Sequence, residues 1–383
     1  MTAYLSTTFP GETRKKESYQ FFLPADIFLT QHLTFDLAIQ KQLEQATLVL
    51  GQFSAKITSI PNIELFISSY INKEAVQSSR IEGTKTEIDG AFEEDETEID
   101  PEKRDDWKEL HQYIAALKNA LSERQKLPIC ERLIRNAHSV LLDQNRGKNK
   151  SPGQYRKSQN WIGGSRPDNA HFVPPSPELV GEAMKNLEAF IQDEKIPIPD
   201  LIKIALIHFQ FETIHPFLDG NGRIGRMLIP LYLLEKNILQ QPILYISDFF
   251  EKNRRAYYDS LDYARSSQDG VIKWVSFFLD GVVQTAKQGI ITTDKINTLQ
   301  NNIFHEKIPT LGRRAKNATK LAQLLFHKPF VDSIRVRRQL EISPQAAQNL
   351  LASFVKLNIL KEVTGYKRNR QFIFKEYLNI LKA

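Results

Sequence analysis

The residues with the greatest chemical potential lie in one run, His215-Pro216-Phe217-Leu218-Asp219-Gly220-Asn221-Gly222-Arg223-Ile224-Gly225-Arg226. The run combines an imidazole, a carboxylate, a glycine-rich turn and two guanidinium groups. His215 can accept a proton from an incoming hydroxyl, because an imidazole with an ordinary pKa of about 6.5 works near neutral pH. Asp219 offers the hard oxygen that Mg²⁺ prefers alongside phosphates. These residue types predict chemistry on a phosphate-bearing substrate.

The glycines of this run favour an anion site. Gly220, Gly222 and Gly225 satisfy G-x-G-x-x-G, but a helical pattern rather than a strand precedes them, which excludes a dinucleotide-binding fingerprint. Glycines let backbone N–H groups approach a bound group, and the start of a helix presents unpaired donors. Arg223 and Arg226 are three residues apart, so both can reach phosphate oxygens from one side of the helix.

A metal site is the competing interpretation of the same region. His208, Glu212 and His215 fall at i, i+4 and i+7, so one helix face can present all three. Zinc-protease spacing requires a glutamate directly after the first histidine, and Phe209 occupies that position. We therefore interpret His208 and Glu212 as partly buried polar residues with satisfied hydrogen bonds.

The run from His215 to Arg226 fills every position of His-Pro-Phe-x-Asp-Gly-Asn-Gly-Arg-x-x-Arg, and here the sequence resembles the Fic domain family. The resemblance implies a mainly α fold, the Fic helical bundle with a β-hairpin flap. It also implies a protein adenylyltransferase that moves AMP from ATP to a Ser, Thr or Tyr hydroxyl of a protein, including this chain itself. Related Doc-type kinases carry Lys at the position of Gly222, so the sequence favours AMP transfer.

The resemblance assigns a role to each motif residue. His215 would be the general base, and Asp219 would hold Mg²⁺. Arg223 and Arg226 would grip the outer phosphates of ATP and stabilise the departing pyrophosphate. The remaining phosphate-binding positions would be Gly220, Asn221, Gly222 and Gly225. Phe217 would anchor the loop in the core.

Two further contact regions follow from the resemblance. Adenine would lie near Tyr257 and Tyr258, although core packing explains these tyrosines nearly as well. The segment 159–173, with Trp161, Ile162 and Gly163 near its tip, matches the flap that aligns a target segment by strand addition.

An inhibitory pattern lies far upstream of the motif. Ser78-Ser79-Arg80-Ile81-Glu82-Gly83 fits Ser/Thr-x-x-x-Glu-Gly/Asn, with Ser78, Glu82 and Gly83 at the defining positions. In the family this glutamate pairs with the second motif arginine, here Arg226, and competes with the γ-phosphate. Its place before the motif resembles a class II Fic protein. Removal of AMP, with Glu82 orienting a water, is the alternative within the same chemistry, and a bifunctional enzyme stays open.

The hydrophobic pattern predicts a mostly helical body. We expect an N-terminal helical region over 1–115 with the inhibitory motif at 78–83, and a Fic catalytic core over 116–290. Residues before Leu29 are expected to form an arm without regular structure. A helix from Phe35 is expected to stop at Gly51, and the acidic residues from Glu93 to Asp100 are expected to form a solvated loop.

The C-terminal piece is predicted to be a winged-helix domain over 313–383. Its pattern gives three short helices, with Ser343 and Pro344 starting the third, and then a hairpin turning at 364–369 with Lys367, Arg368 and Arg370 on the wing. This piece holds fifteen Lys or Arg and four Asp or Glu, a balance of +11, whereas residues 1–312 carry −5 of the total +6. A nucleotide-responsive regulator that binds DNA through residues 313–383 is the second functional hypothesis.

Composition narrows the setting. The chain of 383 residues contains no apolar run near the roughly 20 residues of a membrane helix, and its first 16 residues lack a secretory apolar core. One cysteine, Cys130, excludes an intrachain disulfide and a multi-thiolate zinc site. We expect a soluble cytoplasmic protein that does not meet a membrane. A homodimer is suggested only by the resemblance.

Overall fold

A computed structural model describes residues 5–16, 18–58, 60, 63–85, 87–92, 99–143, 149–364 and 370–382. The described fold is mainly helical, with a two-stranded sheet near the N-terminus and a three-stranded sheet near the C-terminus. Most of the acidic stretch, residues 93–98, and the wing residues Lys367 and Arg368 lie outside the described residues.

The elements that precede the motif form a hairpin and six helices. In chain order they are β1 (Gly11–Lys16), β2 (Tyr19–Pro24), α1 (Leu37–Ile57), α2 (Ile63–Ile81), α3 (Arg104–Glu123), α4 (Glu131–Leu142), α5 (Pro177–Gln192) and α6 (Asp200–Ile214).

The elements that follow complete the body and the C-terminal piece. They are α7 (Asn221–Glu235), α8 (Ser247–Lys252), α9 (Arg254–Ser266), α10 (Gln268–Asn301), α11 (Ala315–His327), β3 (Phe330–Asp332), α12 (Ser333–Leu340), α13 (Pro344–Lys356), β4 (Lys361–Glu362), β5 (Gln371–Ile373) and α14 (Lys375–Lys382).

Helix α6 forms the centre of the body. Every residue from Leu201 to Ile214 is buried, including the polar residues Lys203, His208, Gln210 and Glu212. The indole N–H of Trp274, on α10, donates to the Ala205 carbonyl at 2.8 Å and joins α10 to this centre. Helix α7 packs directly on α6. The loop between these two buried helices is therefore held at both ends by the core.

Helix α1 continues past the predicted stop at Gly51 to Ile57. Gly51 is exposed and a Cβ there would meet no atom within 4 Å. The buried side chains of Phe53 and Ile57 extend the apolar face of α1 that packs against α10. This tertiary packing outweighs the free-energy cost of a glycine within the helix.

The N-terminal segment is a regular antiparallel hairpin rather than an arm without regular structure. Strand β1 pairs with β2 in a register that joins Gly11 to Pro24 and Lys16 to Tyr19. The Phe22 N–H, on β2, donates to the Val173 carbonyl at 2.8 Å. The hairpin thus contacts the end of the predicted flap.

The predicted flap, residues 159–173, folds back on itself with less strand structure than expected. Ile162 and Phe172 form an isolated antiparallel bridge, and a short 3-10 turn at Pro167–Asn169 lies between them. Gly163 has a φ of 69°, in the left-handed region, directly after the bridge. The two short β-prone pieces therefore meet at one bridge and do not form extended strands.

The C-terminal piece contains the predicted three helices and a small antiparallel sheet in the order β3-β5-β4. The Ser343 hydroxyl accepts from the Ala346 N–H at 3.2 Å and Pro344 opens α13, as the sequence predicted. Strand β3 and helix α14 were not predicted. The identification of this piece as a winged helix stays a prediction.

The division expected between residues 115 and 116 falls inside α3, so the inhibitory region and the motif region share a helix. Within the described part of the chain, no helix combines the length and the apolar character that a membrane crossing requires.

Candidate active site

The motif loop is set by two left-handed residues, one at each end. His215 ends α6 with φ 50° and ψ 59°, and its N–H donates to the Phe211 carbonyl at 2.9 Å. Gly220 starts α7 with φ 78°, a conformation that residues with a Cβ rarely adopt. The carboxylate of Glu82 lies against the first turn of α7 and also interacts electrostatically with His215, so the two ends of the turn share a neighbour.

Hydrogen bonds to backbone atoms fix the loop between these ends. Asn221 is buried, and its amide accepts from the Phe217 N–H and donates to the Phe217 carbonyl, both at 2.8 Å. Asn160 also donates to the Phe217 carbonyl at 2.8 Å, and the buried Arg156 donates through Nε to the His215 carbonyl at 2.9 Å. The side chain of Asn221 therefore stabilises the loop through its oxygen and one of its N–H donors.

His138, on α4, packs against the loop and forms a hydrogen bond with it. Its ring stacks on the buried ring of Phe217 with centroids 3.7 Å apart. Nδ1 accepts from the Gly153 N–H at 2.9 Å, so Nε2 carries the proton and donates to the Asp219 carbonyl at 3.0 Å. Burial lowers the pKa of His138 to about 4, so the neutral ring keeps this tautomer at neutral pH.

The ring of His215 is oriented to act as a base. Nδ1 lies 3.4 Å from the Glu212 carbonyl, which can only accept, so Nδ1 carries the proton and Nε2 keeps its lone pair. Burial, reinforced by the positive charges of Arg156 and Arg265, lowers the pKa of His215 to about 4. The imidazole is therefore neutral at pH 7 and can accept a proton.

The start of α7 offers unused donors for an anion. The N–H groups of its first residues have no acceptor within the helix, since the first internal bond joins the Ile224 N–H to the Gly220 carbonyl at 3.1 Å. Arg223 is buried, yet its Nε and Nη1 form no hydrogen bond with any described residue. Nη1 lies 3.8 Å from Glu109 Oε2, an ion pair longer than a hydrogen bond. Buried guanidinium donors without a hydrogen-bond acceptor beside a helix start fit a phosphate group.

Asp219 is placed beside this anion region with part of its carboxylate open. Its side chain is 43% exposed. Oδ1 accepts from the Gly220 N–H at 2.6 Å and from Arg223 Nη2 at 3.4 Å. Both of these bonds use the same oxygen, which leaves Oδ2 for another partner.

Arg226 is bound to the upstream inhibitory segment. Its Nη2 lies 2.7 Å from Glu82 Oε1 and 2.9 Å from the Ser78 carbonyl, and Nε donates to Ser78 Oγ at 2.9 Å. Burial opposes both charges, but the pair outweighs it and raises the pKa of Arg226 while lowering the pKa of Glu82. Both partners are therefore charged at neutral pH.

The Glu82 carboxylate also lies against the first turn of α7. A Cβ at Gly222 would collide with Glu82 Oε1 and would lie 2.8 Å from Arg226 Nη1. The missing side chain at Gly222 thus makes room for a carboxylate at the helix start. Gly83, with a φ of 103°, turns the chain directly after Glu82.

The two tyrosines predicted beside adenine occupy different environments. Tyr257 is 1% exposed, and its hydroxyl lies 2.9 Å from His208 Nε2 within an aromatic cluster with Phe250 and Trp274. It packs in the core and presents no open face. Tyr258 is 39% exposed, and its hydroxyl lies 3.5 Å from the Ile81 carbonyl at the end of α2. Only Tyr258 can meet a nucleotide directly.

The candidate metal triad on α6 is not assembled. His208 is fully buried and bonds to Tyr257, and burial lowers its pKa to about 3. No group of three or more potential metal-binding side chains occurs among the described residues. Glu212 differs from the expectation, because it is buried and its Oε1 makes no hydrogen bond with a described residue.

The flap is attached to α9 beside the motif. His171 contacts Asp262, and the guanidinium of Arg265 lies 3.9 Å from the centroid of the Phe172 ring. Arg265 also donates to Thr213 Oγ1 at 3.3 Å and to the Glu212 carbonyl at 3.4 Å. Trp161 is 38% exposed near the flap tip. Arg265 therefore connects the flap to the helix that ends at His215.

Sequence reasoning missed the residues that hold the motif in place, His138, Arg156, Asn160 and Arg265. Their hydrogen bonds to the motif and to the end of α6 span between 52 and 81 positions along the chain. No local spacing marks such contacts. The available signal was their residue type, since arginine and histidine seldom lie in a core without partners.

Comparisons with solved structures identify the class of fold. A Fic family protein from Desulfovibrio desulfuricans G20 matches with a TM-score of 0.56 at 18% identity, over 89% of this chain and 97% of that chain. A Fic domain signaling protein from Bacteroides thetaiotaomicron matches with a TM-score of 0.50 at 18% identity, over 64% and 97%. The fold is similar to that of these Fic proteins.

Sequence comparison then identifies the family. The model described as "Fic/DOC family N-terminal" matches residues 40–122, and that described as "Fic/DOC family" matches residues 128–233. The chain thus contains an N-terminal region and a domain of the Fic/DOC family.

Curated relatives are similar at modest identity. A probable protein adenylyltransferase of Aquifex aeolicus is 29% identical over 216 residues, which are 55% of this chain and 59% of the relative. Protein adenylyltransferase fic-1 of Caenorhabditis elegans is 31% identical over 113 residues, which are 29% of this chain and 20% of the relative. The chain thus spans less than two thirds of the length of these relatives.

Proposed function

We propose that this protein transfers AMP from ATP to a hydroxyl side chain of a protein and releases pyrophosphate. The observation that carries the proposal is the combination of a neutral His215, with Nε2 free to accept, and an α7 start beside buried Arg223 donors that lack a hydrogen-bond acceptor. The names of the similar curated proteins, which are protein adenylyltransferases, support the same reaction.

The chain's own residues account for each part of the transfer. The phosphates of ATP would accept from the N–H groups at the start of α7 and from Arg223 and Arg226. The target hydroxyl would give its proton to Nε2 of His215 while its oxygen forms a bond to the α-phosphorus. The bond from the α-phosphorus to the bridging oxygen breaks, and pyrophosphate leaves with the electron pair against the two arginines.

The residues present fit a bound Mg²⁺ ion. Asp219 has an exposed carboxylate with Oδ2 unused, and Mg²⁺ favours one or two carboxylates together with substrate phosphates. We propose that Asp219 holds this ion, which would neutralise phosphate charge when bound. The backbone of Asp219 is already fixed by His138, so the carboxylate is positioned before any ligand arrives.

We further propose that Glu82 restrains the activity. Its carboxylate occupies both the Arg226 guanidinium and the space over Gly222, the two places that an outer phosphate of ATP would use. One guanidinium cannot bind both anions in the same geometry. The segment from Ser78 to Gly83 would then act as a built-in competitor, as the class II resemblance implies.

The target segment would lie along the flap. The exposed Trp161 and the bridge at Ile162 lie on the same chain segment as Phe172, which Arg265 holds against α9 beside His215. The exposed ring of Tyr258 would meet the adenine side of the nucleotide. In this arrangement the target hydroxyl approaches from the flap and ATP from α7.

Labelled ATP tests the proposal. The Glu82→Gly variant with Mg²⁺ and ATP labelled at the α-phosphate should give labelled protein, whereas ATP labelled at the γ-phosphate should give none. Retention of the γ label with loss of the α label would show phosphate transfer in place of AMP transfer. Absence of both labels on this chain and on a mixture of cellular proteins would count against the proposed reaction.

A second candidate function, binding of DNA through the C-terminal piece, is favoured by one observation. Helix α13 exposes polar side chains suited to base edges, namely Gln345, Gln348, Asn349 and Lys356, and α12 exposes Arg337 and Arg338 beside them. The balance of +11 over 313–383 supplies charge for phosphate contacts.

A gel shift with the full chain at several salt concentrations tests this candidate. Binding should weaken steeply as salt rises, and replacing Arg337 and Arg338 together by glutamate should weaken it further. The matched control replaces two exposed cations outside the piece, Lys15 and Lys41, in the same way. Equal loss in both double variants would show nonspecific charge attraction rather than a DNA site.

A further inference from the structure

Glu212 is a buried carboxyl group without a role in the AMP transfer described above. It lies on α6, one turn before His215, and only 6% of the residue is exposed. Its Oε1 makes no hydrogen bond with any described residue. A Cβ at Gly225 would collide with this oxygen, so the carboxyl group lies against the first turns of α7. A buried carboxyl oxygen without a partner calls for an explanation.

The same carboxyl group lies on the Nδ1 side of the His215 imidazole. Oε2 lies 4.0 Å from Nδ1, and the Glu212 backbone carbonyl lies 3.4 Å from the same nitrogen. The other ring nitrogen, Nε2, is the one that would accept the proton from the target. Glu212 therefore stands on the side of the ring where positive charge would appear once Nε2 is protonated.

We propose that Glu212 is a positioning residue that stabilises the protonated form of His215 during AMP transfer. The assignment rests on the proposed function. It adds the Glu212 carboxyl group as a second ionisable group that acts on the general base, His215. A base oriented by a third group is a recurring arrangement in nucleophilic catalysis, and the orienting acid acts by charge and alignment.

The proton balance defines what Glu212 does. The proton of the target hydroxyl passes to Nε2 as its oxygen binds the α-phosphorus and pyrophosphate departs. The imidazole then holds protons on both nitrogens and carries one positive charge. An ionised Glu212 turns this ring and carboxylate into a neutral pair, whereas a protonated Glu212 leaves an uncompensated charge in a buried site.

The surroundings of Glu212 affect which form is present. Burial raises its pKa to about 7, against the opposing effect of the Arg226 charge. The other charged or titratable groups that face Glu212 or His215 are Glu82 after α2, Tyr257, Tyr258 and Arg265 on α9, and Arg156 before the flap. Because burial lowers the pKa of His215 to about 4, the two groups share a single proton between these values, and Glu212 holds it.

The sign of the pH dependence follows from the required form. The carboxylate of Glu212 increases as pH rises through its pKa. The Glu82 charge helps to raise this pKa, so in the Glu82→Gly background kcat/KM should rise at a pH below 7 and then level off. One pH unit below the midpoint of this rise the activity should be about tenfold below the plateau. If His215 alone set the profile, activity would stay level down to about pH 5.

Comparison of Glu212→Gln with Glu74→Gln, both in the Glu82→Gly background, tests the proposal. Glu74 is the matched control, because it is also buried, has an oxygen without a described partner, and has a pKa that burial raises to about 7. It lies on α2 and bonds to Tyr113 and Ser247 instead of His215. The measurement is kcat/KM for AMP transfer from pH 5 to pH 9.

Glu212→Gln should remove the rise and lower the plateau about ten- to a hundredfold, the size expected for losing a contact with a charged group. Glu74→Gln should keep the rise. A profile that stays unchanged in Glu212→Gln, or that changes only in Glu74→Gln, would overturn the proposal. ATP binding by Glu212→Gln checks that the site is folded. An inactive Glu82→Gly parent would instead count against the proposed function.

Discussion

Replacement of His215 by alanine in the Glu82→Gly background should lower the rate of AMP transfer by about 10²- to 10⁴-fold, the usual contribution of a positioned acid or base. This loss is expected because Nδ1 of His215 donates a hydrogen bond to the Glu212 carbonyl, which leaves Nε2 as the proton acceptor. Burial lowers the pKa of His215 to about 4 and keeps the ring neutral at pH 7.

The loss should appear in kcat and not in the KM for ATP. The proposed phosphate donors are on α7, so the imidazole contributes little to holding ATP in the ground state. His32→Ala is a suitable control, since His32 is exposed and lies outside the site. Transfer that continues at the parent rate in His215→Ala would exclude His215 as the base and redirect attention to another acceptor.

The sequence was sufficient to predict that the motif lies between two helices, because that placement is local. His215, Asp219, Gly220 and Arg223 lie within nine residues, and a helix end followed by a helix start brings such neighbours together without help from the rest of the chain. Ser343 and Pro344 at the start of α13 are a second local case, and the structure bears it out.

Longer contacts were predictable only where a family pattern supplied them. The pairing of Glu82 with Arg226 spans 144 positions, and it was expected from the resemblance alone. The contact of His138 with the Asp219 carbonyl spans 81 positions and no motif marks it. The hairpin β1–β2 was not predicted because its sequence lacks the alternating pattern that a strand with one buried face shows.

Asn221 lies in the motif loop as expected, but its side chain has a different role from the expected phosphate contact. The sequence placed it in a phosphate cradle, but its amide bonds twice to Phe217 within the loop. Residue type alone cannot choose between a backbone partner within the loop and a ligand. The choice depends on which acceptors the folded loop leaves unpaired.

Replacement of Glu82 by glycine should raise the rate of AMP transfer about ten- to a hundredfold, because ATP no longer competes with a charge-assisted bond of roughly 1.5–3 kcal/mol. The same change should destabilise the protein without ligand. Arg226 keeps its bonds to Ser78 but loses its carboxylate partner while only 1% of its side chain is exposed. Because 36% of the Glu82 side chain is exposed, solvent screens part of this pair, and Arg226 keeps its bonds to Ser78. The expected loss is therefore about 1–3 kcal/mol.

ATP with Mg²⁺ should therefore stabilise Glu82→Gly more than it stabilises the unmodified chain, since the phosphates supply the negative charge that Arg226 has lost. Thermal unfolding of both proteins with and without ATP and Mg²⁺ measures this difference. Glu64→Gln is the matched control, because Glu64 is an exposed carboxylate at the other end of the same helix. If ATP shifts the midpoints of Glu82→Gly and the unmodified chain equally, Glu82 and the phosphates do not share Arg226. Restraint by competition is then excluded, and any faster transfer by the variant has another cause.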